Sequence, residues 1–404
     1  MKIGIIADSP LLTTGFGIES YQIASALADV GYEVVCFGLK GVGSDDFNLK
    51  LPFNIWHIDV ATHWNIALRN FFQKEKVEIA IILMDFFNLR EVIAYCEAAS
   101  WHGPTLVYLT PDGIPVYKEY TDLLKRVQKC VVTTQSCADY LKKCGIHVDG
   151  IAGPGVDPDV FFPMEYRDMI RKSAGFRNIF IVGVFGSNSE RKQQPRVMQA
   201  IANFNGTNEE EDVIAYFHCN KRGYWHLDKI AEELGIQDRV IFPDGLTDEA
   251  RGVAYCSIDK LDEQTGINHI GSGITRILMP KYYSYTERIN CCDLIVNASH
   301  CGDFEHIIIE AQSCGVPLAH TNDEGVMAEA MGSGGLKLKT MDVGRGRIGQ
   351  RIFLTSPGSI TDAIQRVKQD PDLRRELQQR GFENSQKYPW SKLKNTIVEL
   401  VKQM

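Results

Sequence analysis

Buried-type strands that run into a loop and then a helix recur along this chain, and that repeat limits the fold more than any other feature. Lys2-Ile-Gly-Ile-Ile-Ala-Asp8 is a near-continuous apolar run, followed by a loop over 9–17 and a helical pattern from about Ile18 to Val30. Further strands are expected at Glu33–Gly38, Val77–Met84, Thr105–Leu109, 131–135 and Val148–Ala152, with helical stretches at 65–75 and 136–143. Ile179-Phe-Ile-Val-Gly-Val-Phe185 restarts the alternation, which continues through Val213–His218, Val240–Phe242 and Leu294–Ala298. Apolar runs without a polar face, separated by helix-period segments, predict parallel sheets covered on both sides.

The 404 residues exceed the ~250–300 at which a single core stops growing, so two domains are expected. Gly153-Pro-Gly-Val-Asp-Pro-Asp-Val-Phe-Phe-Pro163 is dense in Gly and Pro and aperiodic, which marks an interdomain connection. Asp157 within it fits a turn-fixing role better than chemistry. The expected division is a first domain over 1–165, a second over 166–386 and a last helix over 387–404.

A formal charge of −8 argues against a dedicated nucleic-acid binder, which needs a basic surface to meet phosphates. Eleven cysteines, with no CxxC spacing, suit a reducing compartment rather than a disulfide framework. No stretch reads as a signal peptide or a membrane span, so a cytoplasmic protein is expected, with peripheral membrane contact left open.

In parallel sheets, ligands sit at the carboxyl ends of strands, where the next helix N-terminus offers unpaired N–H groups to anions. Four loops answer that description. Ser9-Pro-Leu-Leu-Thr-Thr-Gly-Phe-Gly17 precedes the first helix, where glycines admit either a ligand or close helix packing. Thr110-Pro-Asp-Gly-Ile-Pro115 places Asp112 at a strand end, as a turn former or a site residue. Arg191 and Lys192 stand at an expected helix start, where cations are unfavourable unless something anionic compensates. Gly302-Asp-Phe-Glu305 leads into a helix that carries Glu310 and stops at Gly315 and Pro317, with Glu310 placed about two turns from its start. His57, His63 and Trp64 are candidates for meeting an acceptor, and Gly266-Ile-Asn-His-Ile-Gly-Ser-Gly273 reads as a flexible loop or a lid.

The run Asn297-Ala-Ser, Gly302-Asp-Phe, Glu310-Ala and Cys314-Gly-Val-Pro-Leu-Ala319 resembles the nucleotide-sugar signature of the family 4 (group 1) glycosyltransferases. The resemblance implies a GT-B architecture: α/β, with two Rossmann-like domains facing each other across a cleft, the first on the acceptor side and the second binding the nucleotide sugar. It implies a retaining hexosyltransferase that uses a nucleotide-diphosphate sugar of UDP or GDP type, with no metal or other cofactor. Glu310 falls on the motif's second glutamate and would bind the donor ribose. Gly15 and Gly17, with Phe16 between them, match a loop set against the donor phosphates. Lys192 matches a lysine that grips the diphosphate. The arginine usual in that loop is Ser187 here, so Arg191 would take its part. Pro243 falls where main-chain groups meet the base, and Trp390 resembles the aromatic start of a last helix that crosses back to the first domain.

The motif's first glutamate, eight residues before Glu310, is Gly302 in this chain. Asp303 and Glu305 are the candidate substitutes for the sugar-side carboxylate, with Asp112 a third candidate in a loop where relatives carry a histidine. The stretches 39–75 and 246–280 match the family least. Two other functions fit the same residues: a nucleotide-sugar-binding or scaffold protein with weakened catalysis, and a glycosyltransferase acting on nucleic-acid bases. An oxidoreductase fits poorly, because the first loop is not Gly-x-Gly-x-x-Gly.

Overall fold

The structure is a computed structural model, and it describes residues 1–12, 14–39, 51–56, 63–173, 176, 179–207, 213–242, 261–262, 267–268, 284–323 and 325–404. The first sheet has seven parallel strands: β1 (Lys2–Asp8), β2 (Glu33–Leu39), β3 (Asn54–Trp56), β4 (Ile79–Met84), β5 (Thr105–Leu109), β6 (Lys129–Val132) and β7 (Gly150–Ile151). Their spatial order is β3-β2-β1-β4-β5-β6-β7, so the winding reverses between β1 and β4. Along β1, Ile3, Ile5 and Ala7 pack on one side of the sheet with Leu27 and Ile81, while Ile6 packs on the other with Phe37, Phe71 and Ile82. Successive side chains of a strand point to opposite faces, so a strand apolar at every position must be covered on both.

The second sheet repeats the design with six parallel strands: β8 (Phe180–Phe185), β9 (Val213–His218), β10 (Val240–Ile241), β13 (Leu294–Asn297), β14 (Leu318–Thr321) and β15 (Gly335–Leu338). The order is β10-β9-β8-β13-β14-β15, with the reversal between β8 and β13. Between β10 and β13 in the chain, β11 (Leu261–Asp262) and β12 (Ile267–Asn268) pair antiparallel. The final helix, Trp390–Val401, sends Leu393, Ile397 and Val401 into the first domain's core beside Ile3 and Leu27. It starts where the interdomain connection passes: Val156 N–H donates to Tyr388 O at 2.9 Å. A Cβ on Gly155 would lie 2.4 Å from Trp390 N, so only glycine fits that crossing. Asp157 accepts from Asp159 N–H at 3.0 Å and fixes the turn.

An antiparallel hairpin, β16 (Thr340–Arg345) and β17 (Arg351–Thr355), extends from the second domain. Its tip buries Ile348 completely in the first domain's core, and Tyr117 N–H donates to Ile348 O at 2.7 Å. Nearby, the Glu329 carboxylate accepts from the backbone N–H groups of Gln135 and Ser136, both at 2.8 Å. A carboxylate on these free N–H groups caps the helix Gln135–Lys143 from across the domain boundary. Among the described residues, no helix is long and apolar enough to cross a membrane, and the ten described cysteines are unbridged.

Candidate functional site

Both winding reversals face each other, and a cavity of about 520 Å³ lies between them. Its first-domain wall comes from the loops after β1, β4 and β5, and its second-domain wall from the loops after β8, β9 and β13. This follows from the two sheets' topology, since strands that diverge at a reversal leave a crevice at their carboxyl ends.

The loop after β8 forms a short 3-10 turn at Glu190–Lys192, and the long helix begins only at Gln194. Arg191 and Lys192 therefore stand just ahead of that helix and point to Glu305, whose two carboxylate oxygens form one ion pair with each. Asn297 Nδ2 also donates to Glu305 Oε2 at 3.1 Å. Glu305 thus gives the two cations a counter-charge from within the protein. Burial would raise its carboxyl, but the charges of Lys192 and Arg191 outweigh burial and hold it well below the usual range. Burial lowers the Lys192 ammonium, more than Glu305 raises it. Burial also works against Arg191, yet Glu305 and Asp112 raise it above its ordinary value. Gly186, at φ +130°, leaves room for the lysine stem: a Cβ there would lie 3.0 Å from Lys192 Cε.

Gly302 has a neighbour that explains its missing side chain. A Cβ placed on it would lie 2.9 Å from Glu305 Oε1 and 3.0 Å from Arg191 Nη1. The Glu305 carboxylate thus occupies the space into which a side chain at 302 would project. Asp303 also lines the cavity, and its carboxylate accepts from Thr133 Oγ1 of the first domain at 2.7 Å. Burial pushes its carboxyl well above the usual range, although the Thr133 hydrogen bond opposes this.

The helix that follows runs from His306 to Ser313, so Glu310 sits about one turn from its start rather than two. It is 2 % exposed yet lines the cavity, and Tyr285 Oη donates to its Oε2 at 3.2 Å. Tyr285 belongs to an aromatic group that sequence reasoning missed. Phe185 and His218 stack at 5.3 Å, Tyr285 meets His218 edge-on at 5.2 Å, and Tyr216 Oη lies 3.0 Å from His218 Nδ1. Phe185 and His218 are the last residues of β8 and β9, so the rule that ligands sit at strand carboxyl ends was the available signal. Asn188, also missed, ties the loops after β8 and β9 together through Asn220 O and Trp225 O.

On the first-domain wall, Thr14 caps the helix Gly15–Asp29, accepting from Gly17 N–H at 3.0 Å and donating to Asp8 Oδ2 at 2.8 Å. Gly15 and Phe16 line the cavity. Gly17 does not, and a Cβ on it would lie 2.3 Å from Leu12 O, so this glycine serves backbone packing. Asp112 lines the cavity as well, and Arg191 and Lys192 both feel its charge. Glu19, which the sequence did not single out, pairs with His306 Nε2 across the cleft at 3.0 Å. Burial pushes its carboxyl up to about 8. His63 and Trp64 begin the helix Trp64–Glu75 and lie outside the cavity. Pro243, His57 and the 266–273 stretch fall outside the described residues, Ile267 and Asn268 excepted.

No family model matches the chain, and no curated protein matches it. Solved structures do match over its whole length. Sucrose-phosphate synthase from Thermosynechococcus elongatus superposes with a TM-score of 0.71 at 15 % identity, covering 100 % of this chain and 98 % of that one. HepE from Anabaena, solved in complex with UDP and glucose, gives 0.69 at 15 % identity with full coverage of both chains. WaaG, a glycosyltransferase involved in lipopolysaccharide biosynthesis, gives 0.65 at 13 % identity, covering 98 % of this chain and 99 % of that one. The fold is therefore the GT-B arrangement of two Rossmann-like domains that the sequence implied.

Proposed function

We propose that this protein is a glycosyltransferase that moves a sugar from a nucleotide-diphosphate sugar to an acceptor, with retention at the anomeric carbon. The cluster of Arg191, Lys192 and Glu305 on a cavity between two Rossmann-like domains carries this reading. When the glycosidic bond to the donor breaks, negative charge develops on the leaving diphosphate, and fixed cations in a water-poor site stabilise it. Arg191 and Lys192 supply that charge, so the reading calls for no resident cofactor. Glu310, steadied by Tyr285, takes the ribose, and the aromatic group at the ends of β8 and β9 flanks the nucleoside. HepE has been solved with UDP-glucose, which favours a UDP-type donor here.

Glu305 takes the place of the motif's first glutamate, because its carboxylate fills the space at Gly302. Asp303 is the weaker candidate, since Thr133 holds it. Screening UDP- and GDP-sugars for nucleotide release, with and without acceptors, tests the reading. Release from one donor that an acceptor accelerates is expected, and binding of no nucleotide sugar would overturn it. Gly302 favours a second reading, a nucleotide-sugar binder with weakened catalysis. The amide variant Glu305→Gln separates the two: in an enzyme it loses turnover far more than donor affinity, as an interaction used mainly in the transition state does.

A further inference from the structure

The cavity's two walls differ in charge. Among the described residues, every lysine, arginine and histidine that lines it belongs to the second domain, including Arg191, Lys192, Arg222 and His306. The first-domain wall, among the described residues, contributes Glu19, Asp85 and Asp112 and no cation. Asp85 is engaged locally, accepting from Asn88 N–H at 2.8 Å as the cap of the helix Phe86–Ala98.

Two buried polar atoms on this wall have no hydrogen-bond partner: Glu19 Oε2 and Thr110 Oγ1, on residues that are 3 % and 5 % exposed. Buried polar groups are nearly always satisfied, so two orphans beside one cavity mark positions that a ligand's own polar groups can satisfy. His306 holds the other Glu19 oxygen at 3.0 Å, which fixes the carboxyl group and leaves Oε2 available.

We propose that Glu19 and Thr110 form the acceptor subsite, that the acceptor is an uncharged polyhydroxyl compound, such as a neutral hexoside, and that Asp112 disfavours acceptors bearing phosphate or carboxylate. The proposal rests on the glycosyltransferase reading and names its acceptor class. A hydroxyl both donates and accepts, so a neutral sugar can satisfy the Glu19 and Thr110 oxygens together. An anionic group placed there meets Asp112, and the nearby His306 ring is already engaged with Glu19.

The test uses the full chain with the donor found by nucleotide release, in two steps. Calorimetry first establishes donor binding; if none occurs, the glycosyltransferase reading itself fails. With donor bound, methyl and octyl hexosides are compared with hexose 6-phosphates and uronic acids as acceptors. The methyl and octyl arms separate a free sugar from a glycolipid head of the same chemistry. Neutral acceptors are expected to exceed anionic ones at least tenfold in kcat/KM. Glu19→Ala should raise the neutral acceptor's KM about tenfold with donor affinity retained, and Glu19→Gln should recover part of the loss. Preference for the phosphorylated acceptors overturns the proposal, as does transfer to neither class by a donor-binding protein. An acceptor KM unchanged in Glu19→Ala overturns it too. Unchanged donor affinity in the variants excludes misfolding as the cause of any effect.

Discussion

Each domain begins with the same local unit, a buried strand that runs into a glycine-containing loop and then a helix, and the two loops are built for different work. In the first domain, the loop after β1 turns on itself: Thr14 caps the helix and bonds to Asp8, and Gly17 makes room for the Leu12 carbonyl. In the second domain, the loop after β8 makes room for a cation, because Gly186 lies beside the Lys192 stem and both Arg191 and Lys192 reach Glu305. Glycine in a strand–loop–helix unit therefore marks a close approach without telling what approaches.

The largest expected effect comes from Glu305. Glu305→Ala leaves the partly buried Arg191 and Lys192 without their nearest counter-charge, with only Asp112 still acting on them, which should cost about 3 kcal/mol of stability in chemical denaturation, the low end for a buried pair. The pH dependence has a definite sign. The folded carboxyl is held well below its ordinary 4.5, so its contribution is full above about that pH and fades as pH falls toward the folded value. The gap in melting temperature between the parent and Glu305→Gln should therefore narrow on acidification below 4.5. A gap that stays constant would show that the carboxylate's charge is not what stabilises the loop.

A matched pair of glycine substitutions separates the two loops. Gly17→Ala should cost ~1–3 kcal/mol of stability, because a Cβ would overpack the Leu12 carbonyl, while the folded protein keeps its nucleotide affinity. Gly186→Ala, at φ +130° and against Lys192, should weaken nucleotide-diphosphate binding in addition to stability. If both variants affect binding equally when compared at full folding, the distinction between the loops is wrong.

The parallel sheets were legible because β1, β8 and their neighbours are apolar at nearly every position, a pattern that half-exposed strands do not produce. The hairpin β16–β17 was not legible. Asp342, Val343, Gly344 and Arg345 are exposed, with no periodic apolar face, and the hairpin is anchored by Ile348 in the other domain's core. That contact is tertiary and leaves no local signal. The site divides the same way. Arg191 and Lys192 could be singled out as adjacent cations in need of charge balance, and Glu305 from its place three residues after Gly302 in the motif. Phe185, Tyr216, His218 and Tyr285 come together from separate elements across the second domain, each unremarked in its own segment. Glu305 could not be preferred over Asp303 without seeing that one turns to Arg191 and the other to Thr133.

The smallest effect should belong to Thr14→Ala. It removes one helix cap and the bond to Asp8, so about 1 kcal/mol of stability is at stake, read from a denaturant midpoint shifted at constant slope. A loss of nucleotide binding in the folded variant would give the first loop a role in donor binding.

Calorimetry of nucleotides on Lys192→Ala tests most directly the claim that the second domain's loop holds the donor's diphosphate. Losing one charge-assisted contact should weaken UDP or GDP binding by ~1.5–3 kcal/mol and leave the corresponding nucleoside nearly unaffected. Equal diphosphate affinity in parent and variant would contradict the account and remove Lys192 from the site.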